Sequence, residues 1–235
     1  MSITLESPVC DIATEYPQSI TVFERLGIEY CCHGTHTLSE ACAKKSLDGS
    51  DVLAAIEAQN PDHAKPLGQN GSLGDLCAHI TQRHHAYELQ QLALIHKLLV
   101  KTQRRHGVAH PELFFIGELV FSMEAELKHH FQCEEDMLFP YIAKLEEDPC
   151  APPSAMFQNI SQPLRRMSVE HDHTSEQLKL LREKTNNYEP TEDACTTFVA
   201  LWKALEDLEE DMLLHLHLEN DVLFPRTSAL VEQTS

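Results

Sequence analysis

Two copies of a histidine–glutamate motif are the part of the sequence best suited to chemistry. Both read H-x-x-x-E-[EN]-D-x-L-F-P, one at residues 130–140 and the other at residues 215–225. In an α-helix, residues four positions apart lie on one face, so each motif can aim one imidazole and one carboxylate at a single point. Two such pairs from two helices of a bundle are typical of a carboxylate-rich dinuclear metal site. The four side chains are those of His130, Glu134, His215 and Glu219.

Two further histidines extend these motifs into a longer internal repeat. His85 precedes the first motif, and His171 precedes the second by nearly the same interval, so the half-repeats are offset by about 85 residues. Apolar residues return at helical spacing around each histidine; Leu92 and Met137 follow the histidines of the first half-repeat by seven residues. This periodicity predicts that each of four helices supplies one histidine from its apolar stripe.

A metal pair explains this pattern better than a polar core does. One histidine on an apolar stripe is more often a hydrogen-bonded core residue, but four of them with two glutamates reverse that expectation. Burying two carboxylates among Leu and Met costs several kcal/mol each unless a cation neutralises them. Four imidazoles and two carboxylates suit iron best, with manganese or zinc as alternatives. Glutamates that bridge both ions would leave open positions for an oxo or hydroxo bridge, dioxygen or nitric oxide.

The remaining histidines and the cysteines carry weaker signals. Five histidines lie near the motif positions, and we expect surface or supporting roles for them: His79, His84, His129, His173 and His217. The eight cysteines are scattered and lack the spacing of a zinc finger, which predicts free thiols rather than disulfides. Only the adjacent pair Cys31 and Cys32 is of chemical interest.

The composition is that of an acidic protein of ordinary globular hydrophobicity. Its 235 residues include 37 acidic and 18 basic side chains, for a net charge of −19. Such a charge repels phosphate backbones and anionic lipids, which argues against nucleic-acid and membrane-surface partners. No apolar run approaches the roughly 18–20 residues of a membrane span, and the first residues do not resemble a signal peptide. We therefore expect a cytoplasmic protein.

Helices must position these residues, and two groups of them are predicted. Several short helices occupy the first part of the chain, where Thr37-Leu-Ser-Glu40 fits a capping box. A linker rich in Pro, Gly and Asn follows at 60–71. After the linker, four long helical stretches are joined by short connections. This arrangement predicts an up-down-up-down antiparallel four-helix bundle and an all-α fold. The four long helical stretches lie at 73–104, 112–147, 157–186 and 192–230.

Several of these motifs occur together in a known family. The two histidine–glutamate motifs, with His85 and with Glu170-His171-Asp172, resemble a hemerythrin-like di-iron bundle. The segment Tyr30-Cys31-Cys32-His-Gly, followed by Thr37-Leu-Ser-Glu-Ala41, looks like the short ScdA-type domain that precedes such a bundle. Nearly the whole chain therefore resembles the repair of iron centres (RIC) family.

This resemblance implies an organisation and a function. An ScdA-type helical domain with the vicinal cysteines would occupy 1–65, and a hemerythrin-like di-iron bundle 72–230. The protein would repair iron–sulfur clusters damaged by nitrosative or oxidative stress, with two non-haem iron ions held by oxo or hydroxo and carboxylate bridges. Its partners would be damaged iron–sulfur proteins and its small ligands nitric oxide or dioxygen, in a monomer or homodimer. The implied iron ligands are His85, His130, Glu134, His171, His215 and Glu219, with both glutamates bridging.

The vicinal cysteines take their implied role from the same resemblance. Cys31 and Cys32 would handle iron, sulfur or nitrosyl groups in transit, because thiolates are soft ligands and exposed vicinal thiols exchange readily. The family commonly follows this pair with Gly-Gly, whereas this chain has His33-Gly34 and a further His36. That departure leaves open that the loop itself holds metal.

Two other functions could use the same site. The first is reversible binding or sensing of dioxygen or nitric oxide, as in hemerythrin proper, which normally requires a fifth histidine where only four are in phase here. The second is an enzyme, a nitric oxide reductase or a peroxidase, because access and surrounding groups set the chemistry of such a centre.

Overall fold

The fold is built from helices. A computed structural model describes residues 3–15, 19–28, 36–58, 71–148 and 160–232. Within these ranges the strand-type pairing is limited to one isolated bridge between Pro8 and Thr37. The prediction of an all-α fold is therefore confirmed. No helix in the described ranges is both long and apolar enough to span a membrane.

The described residues form two compact units. The first contains the residues up to Ser72 together with Leu216–Arg226, and the second contains Leu73–His215 together with the residues from Thr227 onward. Cys31 and Cys32 lie outside the described residues.

Four short helices make up the N-terminal part of the first unit: α1 (Val9–Glu15), α2 (Ser19–Leu26), α3 (Leu38–Lys45) and α4 (Gly49–Ala58). The chain leaves α2 through Gly27, whose φ of +64° lies in the left-handed region that favours glycine. The predicted capping box of α3 is confirmed. The Glu40 amide donates to the Thr37 hydroxyl at 3.2 Å, and the Thr37 amide donates to the Glu40 carboxylate at 2.9 Å.

Four long helices form the bundle, as predicted. Three of them contain a π-helical segment, labelled π1 to π3, and the four helices are as follows: α5 (Leu73–His79), π1 (Ile80–His85) and α6 (Ala86–His106); α7 (Glu112–Cys133), π2 (Glu134–Leu138) and α8 (Phe139–Glu147); α9 (Ser161–Lys184); and α10 (Thr196–His217), π3 (Leu218–Leu223) and α11 (Phe224–Glu232). The last helix starts four residues later than predicted, because Ala194 donates to the Thr191 carbonyl in a turn that precedes it.

The π-helical segments coincide with the motif residues. In π2 the Phe139 amide donates to the Glu134 carbonyl, and in π3 the Phe224 amide donates to the Glu219 carbonyl, each reaching back five residues instead of four. In both motifs a proline comes next, which an α-helix interior would not accommodate without losing a hydrogen bond. The L-F-P ending is therefore where the wider turn closes.

The wider turn also changes which side chains face the core. The α-helical spacing predicts that Met137 is buried, seven residues after His130, but Met137 is only half-buried and Leu138 is fully buried. A π-helical turn inserts one residue into the helical repeat, so positions beyond it shift by one. The apolar stripe before the turn is as predicted, and its buried residues in the second helix are Leu113, Ile116, Val120, Met123 and Leu127.

A carboxylate joins the start of the first bundle helix to the second. Glu146, near the end of α8, accepts hydrogen bonds from the amides of Leu73 and Gly74 at 2.7 and 3.1 Å. These amides are at the start of α5 and have no acceptor within the helix. This contact fixes the relative position of the two helices that carry His85 and His130.

Candidate metal centre

A buried carboxylate lies between two histidines of different helices. The Glu134 side chain is fully buried. Its Oε1 lies 3.2 Å from Nε2 of His130, one turn earlier in the same helix, and its Oε2 lies 3.4 Å from Nε2 of His85 in the first helix. Among the described residues, no hydrogen-bond donor reaches either oxygen. A cation between this carboxylate and the imidazoles would offset the cost of burying it.

Two histidines of different helices also face each other directly. Nε2 of His171, in α9, lies 3.0 Å from Nε2 of His130, and both side chains are buried. In the neutral form each imidazole has one nitrogen that accepts and one that donates. Two ring nitrogens that converge in this way are suited to share a proton or to bind a cation.

The six predicted ligand residues come together in two groups. His85 and His215 belong to one group and His130 and His171 to the other, while Glu134 and Glu219 belong to both. Within each group, one ligand atom from every member lies within 4.8 Å of the others, and all members are buried. Each group therefore combines one histidine from the first half-repeat with one from the second. The two glutamates are shared.

Carboxylates fix the orientation of three of these histidines. Nδ1 of His85 lies 2.7 Å from Glu135, Nδ1 of His130 lies 2.7 Å from Glu170, and Nδ1 of His215 lies 3.0 Å from Glu88. A carboxylate at Nδ1 accepts the ring proton there and leaves the lone pair on Nε2, the nitrogen that faces the centre. Metal-ligating histidines are usually held in this way.

The sequence analysis did not identify two of these carboxylates. Glu88 is completely buried and Glu135 is next to a predicted ligand. Glu88 follows His85 by three residues and so lies on the same helix face, which is a signal that could have been used. Glu170, which precedes His171 in the family-like segment Glu170-His171-Asp172, contacts His130 of another helix.

Glu170 remains ionised in these surroundings. Burial raises the pKa of this carboxyl, but hydrogen bonds with His130 and Arg166 outweigh burial and lower the pKa below its usual value. Arg166 donates to the other carboxylate oxygen at 2.7 Å. The negative charge of Glu170 is therefore available to hold the Nδ1 proton of His130.

Aromatic rings enclose the centre on one side. Phe131 stacks on the imidazole of His85 with the ring centroids 4.0 Å apart and the planes 7° from parallel. Phe139 lies on the same ring at 5.9 Å. These side chains keep water away and lower the local dielectric constant, which strengthens electrostatic interactions within the site.

Of the five other histidines near the motifs, two are buried, two are exposed and His79 is half-buried. His84 was expected at the surface or in a supporting role; its side chain is buried, and its Nδ1 lies 3.0 Å from Asp211. His217 is also buried and contacts Asp221 at 2.7 Å. His129 and His173 are exposed, as the sequence predicts. Cys42, Cys133 and Cys195 form no disulfide bond, in agreement with the prediction for these residues.

This donor set fits a transition-metal centre. Imidazole and carboxylate together are ligands for iron, manganese and zinc. Where a carboxylate contacts Nδ1, Nε2 is the nitrogen that faces the centre, and the shared glutamates would supply the negative charge that a buried cation requires. Among the described residues, neither group contains a cysteine.

Comparison with known proteins gives matches along most of the chain. Residues 5–60 match the ScdA_N family, described as a domain of unknown function (DUF542), and residues 78–227 match the hemerythrin HHE cation binding domain family. The chain is also similar to proteins named iron-sulfur cluster repair protein YtfE from Escherichia coli O157:H7 and from Escherichia fergusonii. Each is 29% identical over 224 residues, which cover 95% of this chain and 97% of the relative.

Proposed function

This chain belongs to the hemerythrin HHE cation-binding family and, through its full-length similarity, to the repair of iron centres family, and we propose that it repairs damaged iron–sulfur clusters with a di-iron centre. The relatives named above carry that activity in their names. The damage we propose is nitrosative or oxidative. Two domains would serve this function, the ScdA-type domain at 1–65 and the hemerythrin-like bundle at 72–230.

The position of Glu134 is the observation that carries the proposal. Its two carboxylate oxygens face imidazoles of different groups, Oε1 toward His130 and Oε2 toward His85. A carboxylate in this position suits a bridge between two cations. Glu219 is likewise common to both groups. We therefore propose that two iron ions bind, each with two terminal histidines and both bridging glutamates.

Bound iron would supply one-electron chemistry and open positions for nitric oxide or dioxygen. The protein's own groups orient the ligands and cover the centre on one side. His85, His130 and His215 are held at Nδ1 by carboxylates, so each Nε2 stays oriented toward the centre. Phe131 covers one side and excludes water. Iron donated from this centre, nitric oxide bound by it, or both, would support repair.

Repair is favoured over reversible dioxygen carriage by the number of histidines. Four histidines belong to the two groups among the described residues. The nearest further candidate, His84, stacks on His215 at 5.6 Å, but its Nδ1 is bound to Asp211 and it belongs to neither group. An oxygen carrier also has no evident need of the vicinal cysteines.

The thiols of Cys31 and Cys32 would handle iron, sulfur or nitrosyl groups during repair. We propose iron–sulfur proteins as partners, a cytoplasmic setting in which thiols stay reduced, and a monomer or homodimer as the working state. We also propose that the same centre can reduce nitric oxide.

A reconstitution experiment tests the proposed function. An iron–sulfur dehydratase inactivated with nitric oxide is incubated with the iron-loaded protein, and its activity and cluster absorbance are followed. We expect both to recover with the wild type and to stay low with the Glu134→Ala variant. Equal recovery with the two proteins would overturn the di-iron mechanism, and no recovery with either would overturn the repair function.

A further inference from the structure

A second cluster of metal-ligating side chains lies at the other end of the bundle. His106 is the last residue of α6 and His110 follows it by four residues. The 21 residues of α6 separate His106 from His85, a distance of about 31 Å along the helix. Asp193 and Cys195 come from the turn that precedes α10. This cluster is therefore independent of the candidate iron centre.

The two histidines directly contact the side chains of Cys195 and Asp193. Nε2 of His106 lies 3.2 Å from the sulfur of Cys195, and Nε2 of His110 lies 3.0 Å from Oδ2 of Asp193. One ligand atom from each of His106, His110 and Asp193 lies within 4.8 Å of the other two. Both imidazole rings also pack against buried Phe198, with centroids 5.3 and 5.1 Å away. The nitrogen and oxygen donor atoms of these three residues are thus held close together, and the Cys195 sulfur adjoins them at His106.

The orientation of His110 repeats a feature of the iron centre. Its Nδ1 lies 2.9 Å from the Glu112 carboxylate, so Nε2 is the nitrogen aimed into the cluster. Thr191 in turn donates to Oδ1 of Asp193 at 2.8 Å, which leaves Oδ2 facing the histidine. Such outer partners are found around metal ligands because they fix the tautomer and the direction of the lone pair.

Cys195 is suited to act as a thiolate. It lies just before the first residue of α10, and the N-terminus of a helix favours the thiolate over the thiol. Thiolate, not thiol, is the form that binds metals. The thiolate and the Asp193 carboxylate together balance the charge of a divalent cation.

We propose that His106, His110, Asp193 and Cys195 form a mononuclear site for Zn²⁺. Two imidazoles, one thiolate and one carboxylate are the ligand types that zinc takes in a tetrahedral arrangement. The ion takes the place of the protons that join His106 to Cys195 and His110 to Asp193, and these protons are released to solvent. Binding would link the turn after α6 to the turn before α10, two connections at the same end of the bundle.

Cobalt titration tests the site, because Co²⁺ replaces Zn²⁺ in such sites and its bond to a thiolate gives a charge-transfer band. The iron-loaded full-length chain is used, so that the iron centre is already filled. A Cys31→Ser/Cys32→Ser background removes the vicinal pair as a source of the band. We expect the band to saturate at one Co²⁺ per chain in this background and to disappear when Cys195→Ser is added.

The exposed ligand provides a variant that leaves the fold intact. The Asp193 side chain is 59% exposed, and we expect Asp193→Ala to weaken Co²⁺ binding at least about tenfold without a change in the far-UV circular dichroism spectrum. A band of equal intensity in the Cys195→Ser protein would overturn the proposal. Absence of the band in the background protein would overturn it too, and would identify the four side chains as two hydrogen-bonded pairs that join the turns.

Discussion

Nδ1 of His215 lies 3.0 Å from Oε1 of Glu88, a residue 127 positions earlier in the chain, and both side chains are buried. This pair joins the first bundle helix to the last. Removing either partner from such a buried pair leaves the other without its hydrogen bond, and the imidazole is then free to take the other tautomer. Glu88 is therefore the residue outside the ligand set on which the geometry of His215 depends most directly.

Substitution of Glu88 should weaken metal binding without removing a ligand. For Glu88→Ala we expect a loss of about 10- to 100-fold in iron affinity, the usual effect of removing a carboxylate that holds a metal-bound histidine. Glu88→Gln should lose less, since its amide oxygen still accepts the Nδ1 proton. Iron affinity by competition with a chelator measures this, and equal affinities for Glu88→Ala and wild type would show that the pair does not orient His215.

The bridging role of Glu134 predicts a loss of iron. Glu134→Ala should bind at least one iron fewer per chain, because the carboxylate faces histidines of both groups. Iron is measured by elemental analysis of the purified protein. Glu118→Ala is a matched control, as Glu118 is an exposed residue of the same helix. Full iron content in the Glu134→Ala protein would contradict the bridging assignment.

Removal of the metal should lower thermal stability. Without a cation, the buried carboxylates of Glu134 and Glu219 have one oxygen each within 4.8 Å of the other, and burying two negative charges so close together is costly. A ligand that binds only the folded state stabilises it by RT ln(1 + [L]/Kd), about 2.7 kcal/mol at 100 times Kd. We expect chelation to lower Tm and added ferrous iron to restore it. The Glu134→Ala protein, measured in parallel, should respond much less.

The vicinal cysteines predict a separation of iron binding from repair. Replacing Cys31 and Cys32 together by Ala should leave the iron content unchanged, because the six predicted iron ligands are elsewhere in the chain. Recovery of a nitrosylated cluster protein should fall. Iron content serves as the internal control for folding, and undiminished recovery would show that the two thiols take no part.

Much of the fold and of the site follows from local sequence patterns. The histidine–glutamate spacing is a property of a single helix, so the two motifs predicted helical pairs before any tertiary contact was known. Short connections then required antiparallel neighbours, and His85 and His171 completed the repeat. The capping box at Thr37 is likewise local.

What the sequence did not reveal depends on contacts between helices or on a change of helical period. In the sequence, Glu88 is only a polar residue near a predicted ligand. Its contact with His215 exists because the fold brings two distant helices together. The π-helical turn at Glu134 shifts the phase by one residue, which moves Leu138 into the core in place of Met137. A fixed period of 3.6 residues cannot anticipate such a shift.

The pairing of histidines across the half-repeats bears on the origin of the centre. His85 is grouped with His215, and His130 with His171, so a single half-length hairpin carries only part of each group. Such a hairpin could complete the centre only by associating with a second copy around a two-fold axis, where each copy gives one histidine to each group. Tandem duplication and fusion of an ancestral hairpin would make that association permanent, and would let the two halves then diverge independently around a common metal site.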